Sequence, residues 1–351
     1  MKKLLFIVLA TVLALSVGLV GCGGEGEGEG EEPVWNYTIP LDCHLTVPNN
    51  LTSVAAKVYL PWITELEALN GTLGGKFDVT VTYGDTPYDS TNGLWALSTG
   101  VCDMGQLAGD LFKLGGIGVL PWFFPNITSA AYATHYLFTE GNGTWDKLGE
   151  LDDVKILVTS PLWGAQWFGH VNATVPSNLT GLKVRAETAD SPIVSALGAV
   201  AVNIPTSDLA NQLLLHTVDG CFFTYSAWNF GIHTAVNFTT ELNMFYRSYV
   251  LAMNKDVYDA MPAEARAALD TLCTPAKSVA LAASHLGSQG FSKGQVAAAH
   301  CITFISPAEL ALWKTATSSV ATNWTTYLNG LSSNWGTDLM ARAAVLVAES
   351  P

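Results

Sequence analysis

The chain has 351 residues, of which 49% are apolar and only 13% charged, enough for one large or two medium domains with a real core. Its formal net charge of -14 excludes a nucleic-acid partner, which needs a basic face to neutralise phosphates. The acidity serves solubility, and binding an anion then requires a local cationic device.

Lys2 and Lys3 precede an apolar run, Leu4 to Val20, as in a secretory signal over residues 1–21. The run is short for a membrane span and no stop-transfer flank follows. In Leu19-Val20-Gly21-Cys22 a leucine stands three residues before a cysteine, which resembles the lipobox of bacterial lipoproteins. That pattern implies cleavage before Cys22 and lipidation of its thiol; the alternative is an ordinary cleaved signal with a cysteine nearby. Residues 22–34 form a Gly/Glu-rich tether that carries too little apolar surface to pack. Five cysteines remain beyond Cys22, an odd number, and Cys273 with Cys301 is one pairing that an oxidising compartment allows. No Cys/His spacing suggests zinc, and neither a metal nor a cofactor is expected.

Globular patterning begins near Trp35. Trp35 to Cys43 reads as a strand. Ser53 to Leu69 has helical spacing, with Val54, Val58, Ile63, Leu66 and Leu69 on one stripe and Pro61 at a bend. A turn over 71–75 leads to Phe77–Tyr83, a strictly alternating strand. A short helix, Asn92 to Thr99, ends at Gly100, and Val101 to Leu107 is a buried strand. Gly115 to Pro125 is Gly/Pro-rich and aromatic. A helix over 130–140 and a strand over 154–159 follow, then a loop into Lys183-Val184-Arg185. Pro192 to Leu197 is helical, Val200 to Ile204 extended, and Ser207 is placed to cap a helix that reaches His216. Strands are expected over 218–223 and 244–253, and helix from Pro262 to about Gln289. Ser306, Pro307 and Glu309 open a long C-terminal helix with a capping box. The alternation of strand and helix argues for an α/β fold with a mostly parallel sheet.

Several runs, in order, resemble the substrate-binding subunit of TRAP transporters, the dicarboxylate-binding-protein family. They are Gly100-Val101-Cys102-Asp103-Met104-Gly105, Leu120 to Pro125, Gly181-Leu182-Lys183-Val184-Arg185, Leu197-Gly198-Ala199, Asn203-Ile204-Pro205, Val218-Asp219-Gly220, Met261-Pro262-Ala263-Glu264 and Ser306 to Leu310. The resemblance covers roughly residues 35 to 340. It implies a two-lobe periplasmic-binding fold with a long C-terminal helix spanning both lobes. Lobe I would take residues 35–160 and about 247–290, and lobe II residues 161–246 and about 291–351. It also implies capture of a small organic acid in the inter-lobe cleft, then delivery to the subunits of a membrane permease, outside the cytoplasm. No catalytic motif stands against this, and an enzyme is not expected. The alternatives are a secreted enzyme or a ligand sensor acting on a carboxylated small molecule.

Arg185 matches the family's carboxylate-clamping arginine. A guanidinium is a planar fork that meets a carboxylate through two charge-assisted hydrogen bonds. Only four arginines are present, Arg185, Arg247, Arg266 and Arg342, and the last two fall on polar helix faces. The plainer alternative for Arg185 is an ion pair with Glu187 or Asp190. Gln166 lies where some relatives carry a second arginine, which would leave one cationic clamp and favour a monocarboxylate; an ordinary loop glutamine is the other reading. Phe223 stands where the family often has a polar contact. With Trp163, Trp167 and Trp228 it implies an aromatic-lined pocket, although any one of them alone is equally a core residue. Tyr225 and Asn229 would add a hydroxyl and an amide. Clefts form at the carboxyl ends of strands, which points to Asn49, Asn50, Tyr83 and Gln106 in the first lobe. Asp219 is expected to support a loop rather than touch an anion.

Overall fold

The computed structural model describes residues 38–351 except 48, 50, 51, 53, 70–74, 90 and 141–143. Cys22, the apolar leader, the tether, Asn50 and most of the turn over 71–75 therefore lie outside the described residues.

Eleven strands are described, and they form two sheets. The first runs β2(Lys76–Tyr83)–β1(Thr38–Leu45)–β3(Met104–Ala108)–β10(Ser248–Asn254)–β4(Val154–Pro161). The second runs β11(Ile302–Phe304)–β9(Phe238–Glu241)–β5(Gln166–Gly169)–β8(Gly220–Phe223)–β6(Lys183–Arg185)–β7(Val200–Val202). Both sheets are mixed rather than mostly parallel. β10 runs antiparallel to β3 and β4, and β5 runs antiparallel to β8 and β9. These are the strands at which the chain changes sheet, and each change reverses direction.

The first crossing, Leu162 to Ala165, and the second, Leu242 to Arg247, lie side by side. Leu162 N donates to Arg247 O at 2.8 Å, Ala165 N to Phe245 O at 3.0 Å and Met244 N to Ala165 O at 2.9 Å. The stretch 244–247, expected as strand, is spent on this crossing, and β10 starts only at Ser248.

The helical stripe beside β1 is buried as its spacing requires. Val54, Val58, Ile63 and Leu66 lie in one core with Trp62. The segment opens as a single π-turn, Ala55–Tyr59, and continues as an α-helix, Leu60–Ala68, with Pro61 in its first turn, where its missing N–H costs nothing. Ser207 does not cap the next lobe's short helix, Leu209–Leu214. Asp208 holds that position, and no side chain closes it. Helices Pro275–Gly287 and Gln289–Ala299 meet at Ser288; the first packs on the helix Ile127–Thr139 and β4, the second against the turn Tyr225–Phe230. The C-terminal helix is broken into Pro307–Ala316, Ser318–Leu331 and Trp335–Glu349, and it opens with the Ser306/Glu309 capping box. All five cysteines among the described residues are free, so Cys273 and Cys301 are not paired; the Cys273 thiol donates to Leu269 O instead.

Candidate functional site

A cleft of about 1050 Å³ opens at the carboxyl ends of parallel strands from both sheets. The first sheet supplies Thr46 and Val47 after β1, Gly84, Asp85 and Asp89 after β2, and Gln106 on β3. The second supplies Arg185 at the end of β6, Ile204 to Thr206 after β7, and Phe223 and Asn229 at and after β8. The crossings supply Trp163, Phe245 and Arg247.

Arg185 is only 3% exposed. Its Nε donates to Ile204 O at 2.9 Å, and its Nη2 donates to Thr206 Oγ1 at 2.9 Å and to Glu187 Oε1 at 2.5 Å. Nη1 has no partner among the described residues. Arg247 approaches from the second crossing. Its Nη1 donates to Glu187 Oε2, and its Nη2 pairs with Asp190 at 3.2 Å. One carboxylate thus bridges two guanidiniums. Burial alone would raise the Glu187 carboxyl, but Arg247 and Arg185 outweigh it and hold it below the usual range. The ion pair weighed for Arg185 is therefore present, in the wall of the cleft.

Five of the twelve residues named for the pocket line this cleft: Arg185, Gln106, Trp163, Phe223 and Asn229. Trp163 is buried against His285, to whose carbonyl its Nε1 donates at 3.0 Å, and Phe223 stacks edge-on with Phe230. Asn50 lies outside the described residues, Trp228 stands edge-on to Phe291 and is not in the wall, and five more do not line it. Gln166 is fully buried and fully used. Its Nε2 donates to Gly164 O and Asn243 Oδ1, and its Oε1 accepts from Leu242 N and Asn243 N. It ties the two crossings together rather than standing free for a ligand. Trp167 is core: its indole lies over the Gly169–Gly220 pair, and a Cβ at Gly220 would stand 2.3 Å from the ring. Tyr225 is core as well, its hydroxyl donating to Glu241 Oε2 at 2.6 Å. Tyr83 packs on the core beneath the first sheet, and Asn49 is exposed on the loop after β1, outside the cleft wall. Asp219 supports its loop as expected, Oδ2 accepting from Lys183 N at 2.7 Å.

The idea of a single cationic clamp needs correction, because Arg247 is a second guanidinium in the wall. Its signal was present in the sequence: with two of four arginines on helix faces, Arg247 was the one left unassigned.

The residues 65–326 match the model of the bacterial extracellular solute-binding proteins, family 7. The chain belongs to that family. Among curated relatives of this solute-binding protein is the C4-dicarboxylate-binding periplasmic protein DctP of Rhodobacter capsulatus, 27% identical over 214 residues; the match spans 56% of this chain and 60% of the relative's length. A TRAP solute-binding protein from Rhodoferax ferrireducens T118, solved with copurified benzoate, is 20% identical and superposes with a TM-score of 0.79 over 89% of this chain and 98% of that one. A marine-metagenome TRAP solute-binding protein specific for aromatic acid ligands, solved with metahydroxyphenylacetate, is 18% identical, with a TM-score of 0.78 over 89% and 99%. At these identities the likeness establishes the two-lobe α/β fold of TRAP solute-binding proteins. As a member of an extracellular family, the protein works outside the cytoplasm.

Proposed function

We propose that this protein is the solute receptor of a TRAP-type transporter. It captures a small organic acid in the cleft and presents it to a membrane permease, without turnover. The observation that carries this reading is Arg185, a buried guanidinium at a strand end in the cleft wall, whose Nη1 has no partner among the described residues. Arg185 makes the charge-assisted clamp, Arg247 adds a second positive charge, and Trp163, Phe223, Asn229 and Gln106 complete the site. The aromatic wall of Trp163, Phe222, Phe223, Phe230 and Phe245 favours a carboxylate with an apolar or ring-bearing body. The solved relatives that hold benzoate and metahydroxyphenylacetate support that class.

The lobe boundaries fall at the two crossings, near residues 161–165 and 242–247, and bending there closes the cleft over the ligand and favours the state that docks to the permease. Leu19-Val20-Gly21-Cys22 and the Gly/Glu run after it support export and attachment to the membrane through a lipid on Cys22. The test is thermal unfolding of the soluble part against a panel of aliphatic and aromatic acids. A ligand at about a thousand times its Kd adds roughly 4 kcal/mol of stability. A strong hit recovered unchanged after incubation supports a receptor; a chemically altered hit points to an enzyme, and silence across the panel refutes the organic-acid reading.

A further inference from the structure

The positive charge of the cleft is already cancelled within the wall. Among the described residues, Arg185 and Arg247 are the only lysine or arginine side chains that line it. Glu187 binds both, and Asp190 binds Arg247 again. This cluster therefore carries two positive and two negative charges. Across the cleft, the loop after β2 adds two more carboxylates, Asp85 and Asp89. Asp89 Oδ1 accepts from Thr91 Oγ1 at 2.6 Å and from Thr91 N at 2.7 Å. These bonds hold its carboxyl below the usual range, so it is ionised at neutral pH.

A purely anionic ligand meets repulsion in such a wall as well as the attraction of Arg185. Each carboxylate brought to the guanidiniums also approaches Glu187, and a second carboxylate would meet Asp85 and Asp89. One further group points to what is missing. Gln106, on the middle strand β3 and 2% exposed, lines the cleft, yet its Oε1 accepts no hydrogen bond among the described residues. A buried acceptor left unpaired is unfavourable, and a donor brought by the ligand removes that cost.

We infer that the ligand is a zwitterion: a carboxylate that also carries a protonated nitrogen, as in an amino acid with an apolar or aromatic side chain. This rests on the organic-acid reading and narrows it. The carboxylate takes the unused Nη1 of Arg185. The ammonium is balanced by Asp89 and the exposed edge of Glu187, and it donates to Gln106 Oε1 once that shielded amide turns toward the cleft. The aromatic wall takes the side chain.

The test is calorimetric titration of the wild-type protein with pairs that share a skeleton and differ only in the amino group: phenylalanine against 3-phenylpropanoate, and leucine against 4-methylpentanoate. The inference expects the amino member to bind at least about tenfold tighter, one well-placed charge-assisted interaction. Asp89→Asn should cut that preference severalfold while leaving the affinity for the amino-free acid within about threefold, and Gln106→Leu should separately cut the preference severalfold. Circular dichroism confirms that each variant folds, and the wild-type comparison stands without them. Equal or tighter binding of the amino-free acids overturns the inference and leaves the organic-acid reading intact. A preference that survives both substitutions overturns the assignment to Asp89 and Gln106. If no member of either pair binds, while other acids do, the inference again fails alone; if no acid of any kind binds, both readings fail.

Discussion

Glu187 is the keystone of the buried charge cluster, and Glu187→Ala is its sharpest perturbation. The substitution leaves Arg185, 3% exposed, with only Ile204 O and Thr206 Oγ1, and leaves Arg247 with Asp190. Removing one partner of a buried ion pair costs about 3–5 kcal/mol. The Glu187 side chain is 28% exposed, so solvent screening places the cost near the low end, at about 3 kcal/mol. For a folded unit of some 300 residues that lowers Tm by about 5 °C. The vacated place is also an anion site flanked by two guanidiniums. Acetate should enter it: with a Kd of about 10 mM, 100 mM acetate restores about 1.4 kcal/mol. The assay is differential scanning fluorimetry of wild type and variant in sodium acetate and in sodium chloride at equal ionic strength. A variant as stable as wild type, or one rescued equally by chloride, would refute the bridging role of Glu187.

Three further outcomes follow from particular residues. Burial, together with Lys155, lowers His135 to about 4, and burial lowers His285 to about 4. Both folded-state values lie below the unfolded value near 6.5, so their contribution is intact above pH 6.5 and is lost as pH falls toward 4. That amounts to about 2 kcal/mol per histidine at pH 5. Tm should therefore drop between pH 7.5 and 5.0, and the double variant His135→Asn/His285→Gln should flatten the drop; a wild-type Tm that holds or rises contradicts this. Gln166→Ala removes four hydrogen bonds and strands two backbone N–H groups at the crossings, for a loss of about 2–4 kcal/mol by urea denaturation, yet ligand affinity should stay within about threefold. A large loss of affinity in a folded Gln166→Ala protein would return Gln166 to the binding site. Gly220→Ala places a Cβ 2.3 Å from the Trp167 ring and 2.6 Å from Phe168 O, and should cost about 1–3 kcal/mol of stability, read from the chemical-denaturation midpoint; an unchanged midpoint would mean that the sheet yields there freely.

Much of the fold was legible because short-range signals carried it. The alternation of Phe77–Tyr83, the stripe from Val54 to Leu66 and the Ser306–Glu309 capping box each appear where local chemistry puts them. The strand Gln166–Gly169 was not legible. It is four residues long and buried on both faces, so it shows no period, and only its pairing with β8 and β9 makes it a strand. The site divided along the same line. Arg185 and Phe223 were readable from the family's motifs, Gln106 from its place at a strand end, and Trp163 and Asn229 from the aromatic and polar residues grouped with Phe223. Trp167 and Tyr225 neighbour these in sequence but point to the other side of their elements, where the core takes them. Arg247 and Glu187 join across sixty residues of sequence, a meeting that only the second crossing creates.

The central claim is that Arg185 clamps a carboxylate in this cleft, and the most direct measurement is calorimetric titration of the best-binding acid into wild type and Arg185→Ala, both shown folded by circular dichroism. The account predicts tight one-to-one binding by wild type and a loss of about 2–5 kcal/mol, thirtyfold or more in Kd, in the variant. Binding by Arg185→Ala with a Kd within threefold of wild type would contradict it.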